Sequence, residues 1–222
     1  MKKVAIIGAG ISGLFFANLL RQDSNFEITI YEKNNSINLE KGYGIQLSVN
    51  SIELLNKIGF QNLNSSNQFN PKKIDFFSLR NKQKICDLDI SIFNTEEAKY
   101  TTMQRSSLVE FLKDKLPSNF IQYNKKINKV NHQNESIELT FEDNSSIECS
   151  YLVISDGVFS SMKLLIANND TKPKYFKFVA IRGTIDKKDL KDIDYCNISL
   201  FLGSNFHSVI YPVSKDSEFN FI

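Results

Sequence analysis

A glycine triad directly after an apolar, β-branched stretch constrains the fold of this chain more than any other feature. The residues "KKVAII" predict a short, buried parallel strand, and Gly8, Gly10 and Gly13 follow it with the spacing G-x-G-x-x-G. Next, "ISGLFFANLLRQ" has apolar residues at helical intervals, and "FEITIYEKN" predicts a second strand that ends at Glu32. A strand, a glycine turn, a helix, a strand and an acid in this order predict a βαβ unit that binds a dinucleotide.

Each residue type in this motif has a physical role. Gly8 permits a tight turn, Gly10 lets the backbone approach a pyrophosphate, and Gly13 allows close packing of helix on strand. The start of the helix offers unpaired N–H groups to phosphates. Glu32, about 20 positions after the triad, can accept both hydrogen bonds of a ribose diol. The predicted dinucleotide contacts in this unit are Gly8, Gly10, Ile11, Ser12, Gly13, Glu32 and Lys33.

The first residues are also compatible with two weaker hypotheses. An export signal begins with basic residues and an apolar stretch, but the helical periodicity and the lack of a small-residue cleavage site argue against one. A buried strand–turn–helix with a chance acid remains the structural alternative. The complete order of the motif favours the dinucleotide site.

Composition excludes several classes of function. The net charge of +2 comes from 27 basic and 25 acidic residues mixed along the chain, which predicts no binding to nucleic acid or to an anionic membrane. The three cysteines (Cys86, Cys149 and Cys196) are far apart and indicate neither a disulfide framework nor a zinc site. No unbroken apolar stretch of about 18 residues predicts a transmembrane helix, and we expect a cytoplasmic protein.

The chain does not continue with regular βαβ units, as a simple NAD-binding domain would. "GYGIQLS" predicts a glycine-broken strand, "NSIELLNKIGF" a short helix that stops at Gly59, and "KKIDFFSLRNKQKICDLDI" a hairpin. "MQRSSLVEFLKDKL" predicts a helix with a capping box of Ser107 and Glu110, which places Arg105 just before it. Several short strands follow, and "YLVIS" predicts a last buried strand that ends at Asp156 and Gly157.

These stretches together resemble the class A FAD-dependent aromatic hydroxylases, the flavoprotein monooxygenases of the para-hydroxybenzoate hydroxylase type. The matching residues are "GAGISGL", Glu32, "GYGIQLSVNSIELLNKIG", "QRSSLVEFL" with Arg105, and "YLVISDGVFSSMK". The last stretch resembles the family's D-G-x-x-S motif, although Ser155 replaces the usual alanine and Lys163 the usual arginine, which loses a planar fork of donors. "VAIRGTI" and "HSVIYPVS" resemble strands of the family's substrate domain.

The resemblance implies an α/β fold: a Rossmann-type FAD-binding domain with an interleaved antiparallel β-sheet substrate domain that is incomplete at its C-terminal end. It places the FAD-binding domain at residues 1–72 and 100–172 and the substrate domain at residues 73–99 and 173–222. The family's second flavin motif, a Gly-Asp pair, does not occur in this sequence. We therefore expect an N-terminal fragment with poor turnover. The alternative is a C-terminal segment supplied by another chain; a homodimer is also compatible with the sequence.

The resemblance also implies a reaction and further site residues. The cofactor would be FAD, reduced by NADH or NADPH, and O2 would supply the oxygen that enters a phenolic or quinone-precursor ring; no metal and no catalytic side chain are implied. The alternatives are another FAD-dependent oxidoreductase of the same fold, such as a reductase or halogenase, or a non-catalytic FAD-binding remnant. By resemblance, the further cofactor contacts are Gln46, Arg105, Asp156 and Gly157, and the substrate contacts are Arg182 and Tyr211. An exposed arginine at 182 and a core tyrosine at 211 remain the structural alternatives.

Overall fold

The computed structural model describes five stretches of the chain, residues 1–39, 43–167, 173–190, 196–215 and 218–222. The chain divides into two compact units. Unit 1 comprises Met1–Asn38 and Val109–Phe178, and unit 2 comprises Leu39–Leu108 and Val179–Ile222. Each unit is therefore assembled from two separate segments of the chain.

Unit 1 contains the predicted βαβ unit. Its elements are β1 (Lys2–Ile7), α1 (Ile11–Leu20), β2 (Phe26–Tyr31), β8 (Ile121–Gln122), β9 (Ile127–His132), β10 (Ile137–Phe141), β11 (Ser146–Cys149), β12 (Tyr151–Ile154) and α4 (Met162–Ala167). The parallel sheet has the order β12-β1-β2-β8, and β9, β10 and β11 form an antiparallel sheet of their own. The predicted strand "YLVIS" thus lies directly beside β1, with Val4 opposite Tyr151.

The core of unit 1 follows from the apolar sequence pattern. Residues 4–7 of β1 are all buried, as expected for a strand covered on both faces. Asn18 is a buried polar residue of α1. Its Nδ2 atom donates to the carbonyl of Leu14 at 2.9 Å, within the helix, and to the carbonyl of Leu112 at 2.8 Å, which links α1 to a segment distant in sequence. Buried Cys149 belongs to the apolar cluster between the two sheets.

Unit 2 consists of two sheets. Its elements are β3 (Gly44–Leu47), α2 (Val49–Asn56), β4 (Gln68–Phe69), β5 (Lys73–Ser78), β6 (Lys84–Asp89), β7 (Thr101–Gln104), β13 (Gly183–Asp186), β14 (Ile198–Leu202), β15 (His207–Pro212) and β16 (Glu218–Phe221). The larger sheet has the order β13-β16-β15-β14-β5-β6, and the smaller has the order β3-β7-β4. The predicted hairpin is β5–β6, but β5 also pairs in parallel with β14, so the large sheet is mixed.

Two boundary predictions were wrong. Helix α3 (Arg105–Asp114) begins directly after β7, so Ser107 is its third residue and cannot be the cap of a capping box. The Arg105 N–H donates to the Tyr43 carbonyl at 3.2 Å, and this bond continues the β3–β7 pairing up to the first helical residue. Arg182 lies just before β13 rather than within a strand. Among the described residues, no helix is long and apolar enough to cross a membrane.

Candidate functional site

The glycine loop between β1 and α1 has the conformation that its sequence predicts. Gly8 has φ +100°, and a Cβ atom there would lie 2.6 Å from the Ser155 carbonyl oxygen. A Cβ on Gly13 would lie 2.1 Å from the Gly8 carbonyl oxygen, whereas one on Gly10 would meet no atom of the described residues within 4 Å. The loop is therefore closed on the protein side and open at Gly10, where a ligand can approach the backbone.

The first turn of α1 is available to an anion. Gly10 occupies the N-cap position, and in the described part of the chain no side chain caps the helix there. The first N–H groups of an uncapped helix lack intrahelical partners, and the helix dipole favours negative charge at this end. Ile11 is partly buried and Ser12 is exposed, so both lie at the accessible end of the helix.

Protein donors already use more of the acceptor positions of the Glu32 carboxylate than the sequence predicts. It is buried, its Oε2 atom accepts from the Ala9 N–H at 2.9 Å, and its Oε1 atom accepts from the Asn34 N–H at 3.0 Å and from Asn34 Nδ2 at 2.8 Å. A carboxylate has about four acceptor positions, so one remains here. In this arrangement Glu32 cannot accept both hydroxyls of a ribose unless a protein donor leaves.

Asp156 follows β12, at the same edge of the parallel sheet. Its Oδ2 atom accepts from the Met162 N–H at 3.4 Å, while its Oδ1 atom is buried without a hydrogen-bond partner among the described residues. The next residue, Gly157, has φ +83° and is exposed. A buried carboxylate oxygen without a donor is costly in a folded protein, and a hydroxyl or N–H group of a bound ligand would satisfy it.

These loops surround one cavity of about 240 Å³ in unit 1. The residues that line it include Gly8, Gly10, Glu32, Lys33, Asn34 and Asp156. The cavity therefore lies at the carboxyl ends of β1, β2 and β12, where open α/β sheets bind nucleotides. A second cavity of about 520 Å³, lined by Ser12, Gly157 and Lys163, borders the same Asp156.

Lys125 lines the first cavity, and its charge is neutralised by an ion pair with Asp143. Its Nζ atom contacts Asp143 Oδ2 at 2.6 Å and Ser145 Oγ at 2.8 Å. The hydrogen bond from Lys125 holds the pKa of the Asp143 carboxyl well below its usual range. Lys33 is exposed and also lines the cavity, as a phosphate contact would require.

The other predicted site residues lie in unit 2. Gln46 is on β3, where its Oε1 atom accepts from the Tyr100 hydroxyl at 2.7 Å. Arg182 is exposed, and its guanidinium carbon lies 4.5 Å from the centre of the Tyr43 ring, a cation–π contact. Arg105 is half-buried at the start of α3.

Tyr211 is a core residue of unit 2. It is 1% exposed and packs with Ile90, Ile198 and Val213. Burial raises the pKa of Tyr211 to about 12, and a hydrogen bond from Gln46 and the charge of Arg182 oppose that rise. The hydroxyl of Tyr211 is therefore near the Gln46 and Arg182 side chains, although its ring is buried.

Sequence patterns did not reveal Asn34, Tyr43 or Tyr100. Their roles depend on partners that the fold brings together, namely Glu32, Arg182 and Gln46. Asn34 in particular lies in an Asn/Ser-rich stretch that is typical of a loop. The one available signal was its position two residues after the predicted ribose-binding acid.

Comparison with known proteins shows what this chain is similar to. Residues 6–39 match a family described as "NAD(P)-binding Rossmann-like domain". The chain is 25% identical to 3-amino-4-hydroxybenzoate 2-monooxygenase PtnB3 of Streptomyces platensis, over 99% of this chain and 55% of that protein. It is 23% identical to a salicylate hydroxylase of Pseudomonas putida, over 99% of this chain and 53% of that protein. The chain thus spans about half the length of the curated relatives it matches.

Solved structures show the same fold. Klebsiella pneumoniae HpxO complexed with FAD and uric acid superimposes with a TM-score of 0.84 at 19% identity, over 99% of this chain and 55% of that one. The 2,6-dihydroxypyridine-3-hydroxylase of Arthrobacter nicotinovorans gives a TM-score of 0.83 at 18% identity, over the same shares. The fold is therefore a Rossmann-like FAD-binding fold with additional β-sheets. The chain is a distant relative of the class A FAD-dependent aromatic monooxygenases and corresponds to their N-terminal part, as its sequence motifs predicted.

Proposed function

We propose that unit 1 binds FAD and that the protein hydroxylates an aromatic substrate with NADH or NADPH and O2. The observation that carries the proposal is the cavity that the open backbone at Gly10 shares with Glu32 and with Asp156 Oδ1, an atom for which the described residues provide no hydrogen-bond partner. These are the groups that a dinucleotide needs: room for a pyrophosphate at a helix start, and acceptors for sugar hydroxyls. The residues present therefore fit FAD.

The proposed roles follow from this placement. The adenosine ribose would be held by Glu32, and the pyrophosphate by the backbone near Gly10 and the N–H groups of Ile11 and Ser12. Lys33, Asp156 and Gly157 would complete the contacts of unit 1, with Gly8 and Gly13 shaping the turn. Gln46 and Arg105 are proposed as further cofactor contacts. When bound, FAD supplies hydride acceptance and oxygen activation, while the protein binds, orients and excludes water.

The polar surface of unit 2 supports an acidic aromatic substrate. The Tyr100 hydroxyl occupies Gln46 Oε1 and Gln46 donates to Tyr211, so the Arg182 guanidinium is the charged donor on this surface. A guanidinium donor favours a carboxylate or phenolate over a cationic ring. We propose that Arg182 binds such an oxygen, held in place by the Tyr43 ring, and that the Tyr211 hydroxyl contacts the same substrate.

A titration of the 222-residue chain with FAD, followed by quenching of flavin fluorescence, tests the cofactor. The expected result is saturable binding of FAD that an equal concentration of NAD does not displace. NAD is the matched control, because it shares the adenosine and pyrophosphate groups and lacks the flavin. A folded chain that prefers NAD, or that binds neither nucleotide, would refute the proposal.

Hydroxylation is tested separately from binding. The FAD-loaded chain is given NADH or NADPH with a phenolic acid, and product formation is measured against oxidation of the nicotinamide. Because the sequence predicts poor turnover, we expect a small amount of hydroxylated product with the acid and less with its uncharged amide. Oxidation of the nicotinamide without any hydroxylated product would favour the alternative of a reductase.

A further inference from the structure

The three hydrogen bonds that hold the Glu32 carboxylate are distributed unevenly. Oε1 accepts two, from the Asn34 N–H and Asn34 Nδ2, whereas Oε2 accepts one, from the Ala9 N–H. Since each carboxylate oxygen has about two acceptor positions, Oε1 is full and Oε2 has one position open.

Two of the three donors belong to a fixed backbone. Ala9, whose N–H is one of these donors, is buried within the glycine loop, and the backbone around Asn34 is paired on both sides. The Asn124 N–H donates to the Asn34 carbonyl at 3.0 Å, and the Lys125 N–H donates to the Glu32 carbonyl at 2.9 Å. The Asn34 carboxamide differs from the other two donors, because Asn34 is exposed and its side chain can rotate without moving the backbone.

A ribose presents two neighbouring hydroxyl groups, both of which are donors. They can bind one carboxylate together only if two acceptor positions are open. Glu32 has one open acceptor position. A second becomes open most easily if the Asn34 carboxamide rotates away, because the other two donors are backbone N–H groups. Asn34 and Glu32 line the same cavity, so a nucleotide ribose at Glu32 meets this carboxamide directly.

We propose that the Asn34 carboxamide is a displaceable partner of Glu32, which occupies the acceptor position that the second ribose hydroxyl takes when a nucleotide binds. The inference rests on the proposed function, in which unit 1 binds an adenine dinucleotide. Asn34 then lowers the affinity for the ribose rather than supporting it. The backbone N–H groups of Ala9 and Asn34 are sufficient to orient the carboxylate.

Calorimetric titration of the 222-residue chain with ADP and with 2′-deoxy-ADP tests this role. Asn34→Ala should bind ADP about three- to tenfold more tightly, because one hydrogen bond to a charged group no longer has to be exchanged. Its affinity for 2′-deoxy-ADP should stay as in the wild type, because a single hydroxyl already has an open position on Oε2. Asn35→Ala is the matched control: Asn35 is the exposed neighbour of Asn34, and its Oδ1 atom accepts from the Ser36 hydroxyl at 3.3 Å.

Each other outcome contradicts the inference. Weaker binding of ADP by Asn34→Ala would make Asn34 a support for Glu32, and an equal gain for both nucleotides would mean a general opening of the cavity. A wild-type chain that binds neither FAD nor ADP would refute the proposed function and this inference with it. Binding of both, with an unchanged preference in Asn34→Ala, would refute the inference alone.

Discussion

At Gly8 and Gly10, the same substitution is expected to have different consequences. Gly8→Ala forces a side chain into a positive φ and against the Ser155 carbonyl oxygen, so it should lower the free energy of unfolding by about 1–3 kcal/mol. Gly10→Ala meets open space and should cost at most about 1 kcal/mol as an N-cap change. Its Cβ would nevertheless obstruct the approach of a phosphate, so binding of FAD should weaken strongly. Urea unfolding and FAD titration of both variants measure this difference.

A Gly8→Ala chain as stable as the wild type would contradict the loop geometry. A Gly10→Ala chain with wild-type affinity for FAD would contradict the proposed place of the pyrophosphate. The two variants control for each other, because they make the same chemical change two positions apart in one loop.

The role of a residue can be predicted from sequence where the backbone conformation allows only one residue type. Gly8 and Gly13 could be predicted because their conformation and close contacts exclude every other side chain. Asn34 could not be predicted, because an amide in a polar loop is compatible with many roles until the fold brings Glu32 beside it. The assignments of Gln46, Arg105, Arg182 and Tyr211 came from the family resemblance, and they stay predictions.

At the scale of elements, close packing at Gly44 brings β3 against residues of β15 and β16. A Cβ on Gly44 would lie 2.6 Å from Val213 Cγ1, 2.7 Å from Asn220 Cβ and 2.9 Å from Tyr211 Cε2. Its N–H donates to the buried Asn220 Oδ1 at 2.5 Å. Gly44→Ala should therefore destabilise unit 2 by about 1–3 kcal/mol through overpacking, measured by thermal unfolding. An unchanged melting temperature would contradict this packing.

The buried tyrosine of β15 predicts a loss of stability at high pH. The folded pKa of Tyr211 is raised to about 12, whereas an unfolded tyrosine ionises near pH 10. Between these values the unfolded chain releases a proton that the folded chain keeps, so stability falls as pH rises from about 10 to 12. Because Tyr211→Phe has no hydroxyl to ionise at this position, its free energy of unfolding should fall less steeply over this pH range than that of the wild type. Denaturant midpoints of both proteins at pH 9 and pH 11 measure the effect, and parallel losses would contradict it.

Elements could be predicted where their determinants are adjacent in the chain. The β1–α1–β2 unit was predicted correctly from periodicity and glycine spacing, as was the β5–β6 hairpin. The start of α3 was predicted too late: Ser107 was predicted as its cap, whereas the helix begins at Arg105. The N–H of Arg105 donates to the carbonyl of Tyr43, just before β3, and this partner is distant in sequence. The parallel pairing of β5 with β14 has no local signal at all, since it joins segments separated by about 120 positions.

At the scale of the whole molecule, a cofactor that binds only the folded chain should raise its melting temperature. FAD at 100 times its dissociation constant would add about 2.7 kcal/mol to the free energy of unfolding. For a folding unit of about 100–200 residues, this corresponds to a rise in melting temperature of roughly 5–15 °C. Scanning fluorimetry with FAD, with NAD as the control, measures the shift. An equal shift with NAD, or none with saturating FAD, would contradict selective binding of FAD by unit 1.

The pairing of β1 with β12 also has a consequence for synthesis of the protein. The first strand leaves the ribosome early, but its partner Tyr151 lies roughly 150 positions later. At about 5–20 residues per second, translation leaves one edge of β1 unpaired for about 7 to 30 s. During that interval an apolar strand edge is open to pairing with other chains. Expression at lower temperature slows translation and prolongs that interval, so we expect the soluble yield of this protein to depend on translation speed as well as on its final stability.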